Sequence, residues 1–162
     1  MAYLERFVAF SVLTEESSKN MQRIKTAYMR TLGLHSSDAI LLAVLSHHEE
    51  GLSAAALARE CKLDRAVVSR ALPALLDAGV IAYADPSQQQ KRNYRSALTL
   101  TPLGTEAVKK MQDFTVDTVK RTSDDISSEE LATFYRVFRK LEKRLAEHAS
   151  ALEESTEERK KR

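Results

Sequence analysis

The stretch SAAALARECKLDRAVVSRALPALLDAGVIAYADPSQQQKRNYRSALTLTPLG, residues 53–104, decides how this chain folds. Ser53 has the side chain of a helix N-cap and predicts a short helix from Ala54 to Cys61. Leu63 fills a turn. Asp64 then caps a second helix that runs to about Ala78 and stops at Gly79. Two helices joined so tightly need a small residue where they cross and apolar residues at fixed offsets to pack them. Ala58 is the small residue, and Leu57, Cys61, Leu63, Val68 and Ala71 complete the pattern. With Val68, Ala71, Leu72 and Leu75 turned inward, Arg65, Ala66, Ser69, Arg70, Pro73 and Asp77 remain outside. Ala66, Ser69/Arg70 and Pro73 recur every three to four residues, so they form one stripe. Val80 to Ala84 reads as a strand and Tyr94 to Leu100 as a second, with a polar loop opening at Asp85-Pro86-Ser87 between them. Pro102 suits the first turn of a following helix. The stretch is therefore a helix-turn-helix followed by a β-hairpin, which is a winged helix-turn-helix.

On the N-terminal side, residues 3–31 contain neither Gly nor Pro. Leu4, Phe7, Val8, Met21, Ile24 and Tyr28 suit a long amphipathic helix, interrupted near Thr14 and ended by Gly33. Ser36 or Ser37 is placed to cap a further helix with Ile40, Leu41, Val44 and Leu45 on its inner face, stopping near Gly51. On the C-terminal side, the helix after Pro102 carries Val108, Met111, Thr115 and Val119 on one face. Ser127 and Glu130 have the spacing of a capping box at the head of the last helix. Its apolar positions, Leu131, Phe134, Phe138, Leu141, Leu145, His148 and Leu152, alternate spacings of three and four, a heptad seam suited to pairing with a partner helix or with the chain's own core. From Glu153 the sequence is almost wholly charged and is expected to fray. The fold class is mainly α with a small two- or three-stranded β wing. Residues 34–104 form the winged helix-turn-helix, residues 1–33 and 105–152 a helical dimerisation region, and 153–162 a charged tail.

Composition narrows the function classes. No apolar run approaches the roughly 20 residues of a membrane span, and the first residues lack signal-peptide architecture, so a cytoplasmic location is expected. The single cysteine, Cys61, excludes an intramolecular disulfide and a zinc site built of cysteines. All four glycines are isolated, so no phosphate-cradling loop exists. No nucleophile motif or paired carboxylate marks an enzyme, and no cofactor is implied. His47-His48 are adjacent on a helix and point about 100° apart, a poor geometry for chelation, so no metal is expected. The net charge of +2 conceals a local excess. Residues 59–95 carry seven Lys/Arg against four Asp/Glu, and residues 86–95 carry Lys91, Arg92 and Arg95 with no acid. A short basic surface of this kind suits phosphate binding.

These features converge on double-stranded DNA. The second helix of a helix-turn-helix lies in the major groove with its N-terminal residues nearest the base edges. Arg65 and Arg70 suit guanine O6/N7 or phosphate, Ala66 and Val67 a thymine methyl, and Ser69 a base or phosphate hydrogen bond. Pro73 continues the stripe and Ser53 sits at the start of the first helix. A basic hairpin beside such a helix reaches the adjacent minor groove, where arginine is favoured. The alternative is a winged helix and coiled coil used for protein assembly, without reading DNA.

In their order along the chain, Leu34-His35-Ser36-Ser37-Asp38-Ala39-Ile40-Leu41-Leu42-Ala43-Val44-Leu45, Leu57-Ala58 with Leu63-Asp64-Arg65-Ala66-Val67-Val68-Ser69-Arg70, Asp77-Ala78-Gly79-Val80-Ile81 and Leu98-Thr99-Leu100-Thr101-Pro102-Leu103-Gly104 resemble the MarR family of bacterial regulators over roughly residues 30–110. The resemblance implies a homodimer with interlocked terminal helices, a palindromic operator, and repression relieved by a small-molecule effector or an oxidant. The effector site it implies lies between the dimerisation helices and the DNA lobe, where Tyr3, Phe7, Phe10, Tyr28 and Met111 are the candidates. This chain departs from the family in three ways. Its wing, Asp85-Pro86-Ser87-Gln88-Gln89-Gln90-Lys91-Arg92-Asn93-Tyr94-Arg95, is longer than the usual Asp-Pro-x-Asp-Arg-Arg and lacks the second acid; Arg92, nearest the expected tip, is favoured for the minor groove over Lys91 and Arg95. Pro73 falls inside the recognition helix, where it removes a hydrogen bond to the Ser69 carbonyl and favours a mild bend. Cys61 occupies a packing position rather than the N-terminal place of the family's redox cysteine, which reads as a buried structural thiol.

Overall fold

The computed structural model describes residues 2–85 and 96–160. Among the described residues, six helices and two strands follow in the order α1 (Tyr3–Thr31), α2 (Asp38–Leu45), α3 (Ala54–Glu60), α4 (Arg65–Asp77), β1 (Ile81–Tyr83), β2 (Leu98–Leu100), α5 (Pro102–Ser123) and α6 (Ser128–Lys160). They divide into two compact units, one ending at Phe114 and the other beginning at Thr115. The mainly helical fold with a small β wing is as the sequence predicts. Met29 of α1 and Val108 of α5 are buried in the same core as the helix-turn-helix.

Three helix ends fix the first unit, and each closes in the same way. After α1, the Gly33 N–H donates to the Arg30 carbonyl and the Leu34 N–H to the Met29 carbonyl; after α3, Lys62 and Leu63 donate to Arg59 and Ala58; after α4, Gly79 and Val80 donate to Leu76 and Leu75. In this double closure the linking residue turns left-handed and the residue beyond it packs back on the last turn. Gly33 and Gly79 supply the positive φ without strain, but in the helix-turn-helix it falls to Lys62, at φ 53°. The residues that pack back are apolar: Leu34 and Val80 are buried and Leu63 is half-buried against the core.

β1 and β2 pair antiparallel with Ile81 opposite Leu100, Ala82 opposite Thr99 and Tyr83 opposite Leu98. Leu52 adds a single bridge on the far side of β2, exchanging both backbone hydrogen bonds with Leu98 at 2.8 and 3.0 Å. That bridge is all there is of a third strand among the described residues. At the exit of β2, the Thr101 hydroxyl donates to the Gly79 carbonyl at 2.6 Å and accepts from the Gly104 N–H at 3.1 Å. The Thr101 N–H donates to the Val80 carbonyl at 3.1 Å. One residue thus caps α5 and ties its first turn to the end of α4. The approach is so close that a Cβ on Gly104 would fall on the Val80 carbonyl oxygen.

The elements differ from the sequence reading in several places. α1 is unbroken through Thr14, whose hydroxyl donates back to the Phe10 carbonyl and so satisfies itself within helical geometry. Ser37 precedes α2 without capping it by its side chain. Instead the buried Asp38 carboxylate accepts the His35 N–H at 2.8 Å, and the Asp38 N–H donates to the His35 carbonyl at 3.0 Å. α2 ends at Leu45 rather than near Gly51, and its fully buried face contains Leu42 in place of Ile40, which is 45% exposed. β1 and the described part of the second strand are shorter than Val80–Ala84 and Tyr94–Leu100 suggest.

In the second unit, Ser127 and Glu130 form the capping box that their spacing predicts: the Ser127 N–H donates to the Glu130 carboxylate at 3.0 Å and the Glu130 N–H to the Ser127 hydroxyl at 3.3 Å. α6 does not fray at Glu153 but continues to Lys160. Its last segment consists of Glu, Ser, Thr, Arg and Lys with no Gly or Pro, so nothing in it breaks a helix. Among the described residues, no helix is long and apolar enough to cross a membrane.

Candidate nucleic-acid interface

The candidate surface is α4 together with the turn that precedes it. Asp64 caps α4, accepting the Ala66 N–H at 2.7 Å, and Val68, Leu72 and Leu75 anchor its inner face in the core. With that face fixed, the rotation of α4 about its axis is fixed too. The opposite face presents Arg65, Ala66, Ser69, Arg70 and Pro73, all exposed, with Asp77 exposed at the far end. Of the α4 residues predicted to touch DNA, Val67 alone turns partly inward and is half-buried, leaving Ala66 as the more fully presented of the two methyl-bearing side chains. Among the described residues, neither Arg65 nor Arg70 has an ion-pair partner. Among the described residues their guanidinium groups therefore face solvent without a carboxylate partner, Arg65 in the first turn of α4 and Arg70 in the second.

Ser53 has a structural duty of its own. Its hydroxyl oxygen accepts the Ala56 N–H at 3.3 Å and caps α3, and the residue is half-buried. Arg59 and Lys62, at the end of α3 and in the turn, are exposed cations that the sequence reading did not single out. The signal for them was present: a helix-turn-helix places this turn beside the recognition helix, so basic residues there add to the same charged surface. The wing candidates Lys91, Arg92 and Arg95 lie outside the described residues. Within the described part of the hairpin, the Ala84 N–H donates to the Ala97 carbonyl at 2.8 Å, so the two strands are still paired where they lead into that segment.

Cys61 is half-buried rather than fully buried. Its sulfur lies 3.8 Å from the Ile40 carbonyl oxygen, and burial, with the neighbouring Glu60 charge, pushes its thiol above the ordinary value. A raised value disfavours the thiolate, the reactive form. His47 is exposed and His48 half-buried, and among the described residues no group of three or more His, Cys, Asp or Glu is placed to hold a metal ion.

The five effector-site candidates do not converge within one chain. Tyr28 is half-buried at the C-terminal end of α1; its hydroxyl donates to the Lys110 carbonyl at 2.7 Å, and its ring stacks on Phe114 with centroids 3.7 Å apart. Met111 is half-buried against the core beside it. Tyr3 and Phe7 are exposed at the other end of the same unbroken helix. At 1.5 Å per residue, Tyr3 is about 37 Å from Tyr28 along the axis, and Phe10 about 27 Å. Tyr28 and Met111 therefore belong to one locality, and Tyr3, Phe7 and Phe10 to another.

Comparison with known proteins agrees with this geometry. Residues 32–92 match the family model described as the MarR family. A search of curated protein sequences finds no match. Among solved structures, a MarR family transcription regulator superposes with a TM-score of 0.77 at 20% identity, covering 91% of this chain and 95% of the other. A MarR family protein of Mycobacterium tuberculosis gives 0.61 at 25% identity, covering 82% and 92%. MepR of Staphylococcus aureus, solved as a complex with DNA, gives 0.65 at 20% identity, covering 84% and 96%. Residues 32–92 are thus similar in sequence to the MarR family, and over most of its length the chain has the fold of these MarR family structures.

Proposed function

We propose that this protein is a transcription regulator that binds a palindromic DNA operator as a homodimer and represses until a small-molecule effector releases it. The observation that carries the DNA-binding reading is the exposed stripe of α4. Arg65, Ala66, Ser69 and Arg70 sit on a helix whose inner face is locked into the core, and the two arginines have no partner among the described residues. The fold likeness to MepR, solved with DNA bound, supports the same reading. In it, Arg65 and Arg70 contact guanine or phosphate, Ala66 and Val67 lie against thymine methyls, Ser69 donates to or accepts from a base or phosphate, and Ser53, Arg59 and Lys62 hold the backbone. Of the wing cations Lys91, Arg92 and Arg95, Arg92 is the one favoured for the adjacent minor groove. The homodimer rests on the apolar residues that α1 and α6 leave exposed.

The test is selection of bound fragments from random DNA, followed by titration of the selected site with wild-type protein and with Arg65→Ala and Arg70→Ala. Each substitution is expected to weaken the selected site by about 1–3 kcal/mol while leaving the melting temperature in place. Binding is also expected to fall steeply with salt as counterions are released. Enrichment of no sequence, or equal binding by both variants, refutes the assignment and leaves protein assembly as the use of the fold.

A further inference from the structure

Pro73 lies in the interior of α4, and the helix continues through it from Arg65 to Asp77. Proline has no N–H, so the carbonyl four residues earlier, that of Ser69, loses the donor that every other interior carbonyl of a helix receives. Among the described residues no side chain supplies a replacement. Ser69 and Pro73 are both exposed, so the missing rung of the hydrogen-bond ladder lies on the outer face of α4, between Ser69 and Pro73 of the same stripe. A proline placed on the inner face would leave a carbonyl buried in the core. Here it leaves an acceptor beside Arg65 and Arg70, which carry only donors.

We infer that the Ser69 main-chain carbonyl is a specificity-determining acceptor, set free by Pro73, for an exocyclic amino group in the major groove of the operator. The inference rests on the DNA-binding reading above. In the major groove only adenine N6 and cytosine N4 present an amino donor. The chemistry is complementary to that of the neighbouring arginines, which address the acceptors of guanine. Carboxylate and amide side chains ordinarily supply such acceptors, and the exposed stripe from Arg65 to Pro73 contains none. Because the acceptor belongs to the backbone of a helix, it is already oriented before DNA arrives.

The experiment uses the full-length protein and its selected site. Each adenine in a half-site is replaced in turn by purine, and each cytosine by 2-pyrimidinone, analogues that lack only the amino group. Wild-type affinity is expected to fall about three- to tenfold at one position per half-site. Pro73→Ala restores the N–H that occupies the Ser69 carbonyl, and is expected to bind the amino-bearing and amino-lacking sites equally at that position. Ser69→Ala, which keeps the carbonyl and removes the hydroxyl, is expected to retain the discrimination. Substitution of contacted guanines by 7-deazaguanine serves as the control for a general shift of the helix, and its penalty is expected to be the same in wild type and Pro73→Ala. Discrimination that persists in Pro73→Ala overturns the inference, as does discrimination lost in Ser69→Ala, a wild type indifferent to every amino deletion, or a 7-deazaguanine penalty that changes in parallel. Failure of the wild type to select any sequence defeats the DNA-binding reading itself.

Discussion

Single residues decide whether this fold closes. At Gly104 the first turn of α5 rests on the Val80 carbonyl, with the Thr101 N–H bonded to that same oxygen. Gly104→Ala puts a methyl group where the oxygen is, and neither backbone can withdraw without breaking the Thr101 bonds. The expected cost is about 3 kcal/mol, read as a lower urea midpoint at unchanged slope; an unaltered midpoint would mean that α5 lifts off Val80 freely. At Lys62 the sign is reversed. A lysine held at φ 53° carries left-handed strain that glycine does not. Lys62→Gly relieves it and loses part of the gain to the greater freedom of the unfolded chain, for a net stabilisation of about 0.5–1 kcal/mol. Thermal melts measure it, and a lower melting temperature would show that the lysine side chain contributes more than its backbone costs. The strand-to-helix junction around Gly104 was recognisable in the sequence as a motif. Its cause, an approach between α5 and Val80, is a property of the folded chain and has no local signature.

Helices were legible where their ends have chemistry. Ser53, Asp64, Gly33, Gly79 and the pair Ser127/Glu130 all act as their residue types predict. They were misread where two residues compete for one role. Ser37 and Asp38 are equally good caps by type, and it is Asp38 that bonds the His35 N–H from inside the core. Ile40 and Leu42 are equally apolar, and only the packing of α2 on its neighbours buries one and exposes the other. The exposed face of α4 was legible because its inner face is so plainly apolar; the separation of Tyr3, Phe7 and Phe10 from Tyr28 and Met111 was not, because it depends on α1 running unbroken through Thr14. The capping box of α6 makes a prediction in pH. Hydrogen bonds from the Ser127 hydroxyl and N–H hold the Glu130 carboxyl below its ordinary value. A lowered value in the folded state means that the contribution is fully present above the unfolded value, about 4.3, and disappears as pH falls through the folded one. The difference in melting temperature between wild type and Glu130→Ala is therefore expected to be largest near pH 7 and to close as the pH drops below 4. A difference that is flat from pH 7 to 3 would assign the effect to helix propensity instead of the charge.

At the scale of the whole molecule, the chain leaves more apolar surface open than one copy can use. Leu4, Phe7, Val8 and Leu13 of α1, and Phe134, Leu141, Leu145 and Leu152 of α6, are each between 40% and 73% exposed. A monomer in water gains nothing from a heptad seam held out to solvent, and each such side chain covered by a partner contributes on the order of 25 cal/mol per Å² of apolar area removed from water. The proposed homodimer gives that surface an occupant. It also gives the operator its symmetry, since two recognition helices related by a two-fold axis read two half-sites about one helical turn apart. Sedimentation equilibrium at micromolar concentration is expected to give twice the mass of the chain. Leu141→Asp with Leu145→Asp places charge in the middle of the seam and is expected to give the monomer. The first unit, with its own core around Leu42, Leu57 and Leu75, does not contain either position and is expected to stay folded, with α4 still presented. The monomer then binds each half-site alone. Without the second half-site held at high effective concentration, affinity for the full operator is expected to drop by about 10²-fold or more, while affinity for an isolated half-site stays as in wild type. A monomer that still bound the full operator like wild type would break the link between the seam and DNA reading, and would return α6 to a role in assembly with some other protein.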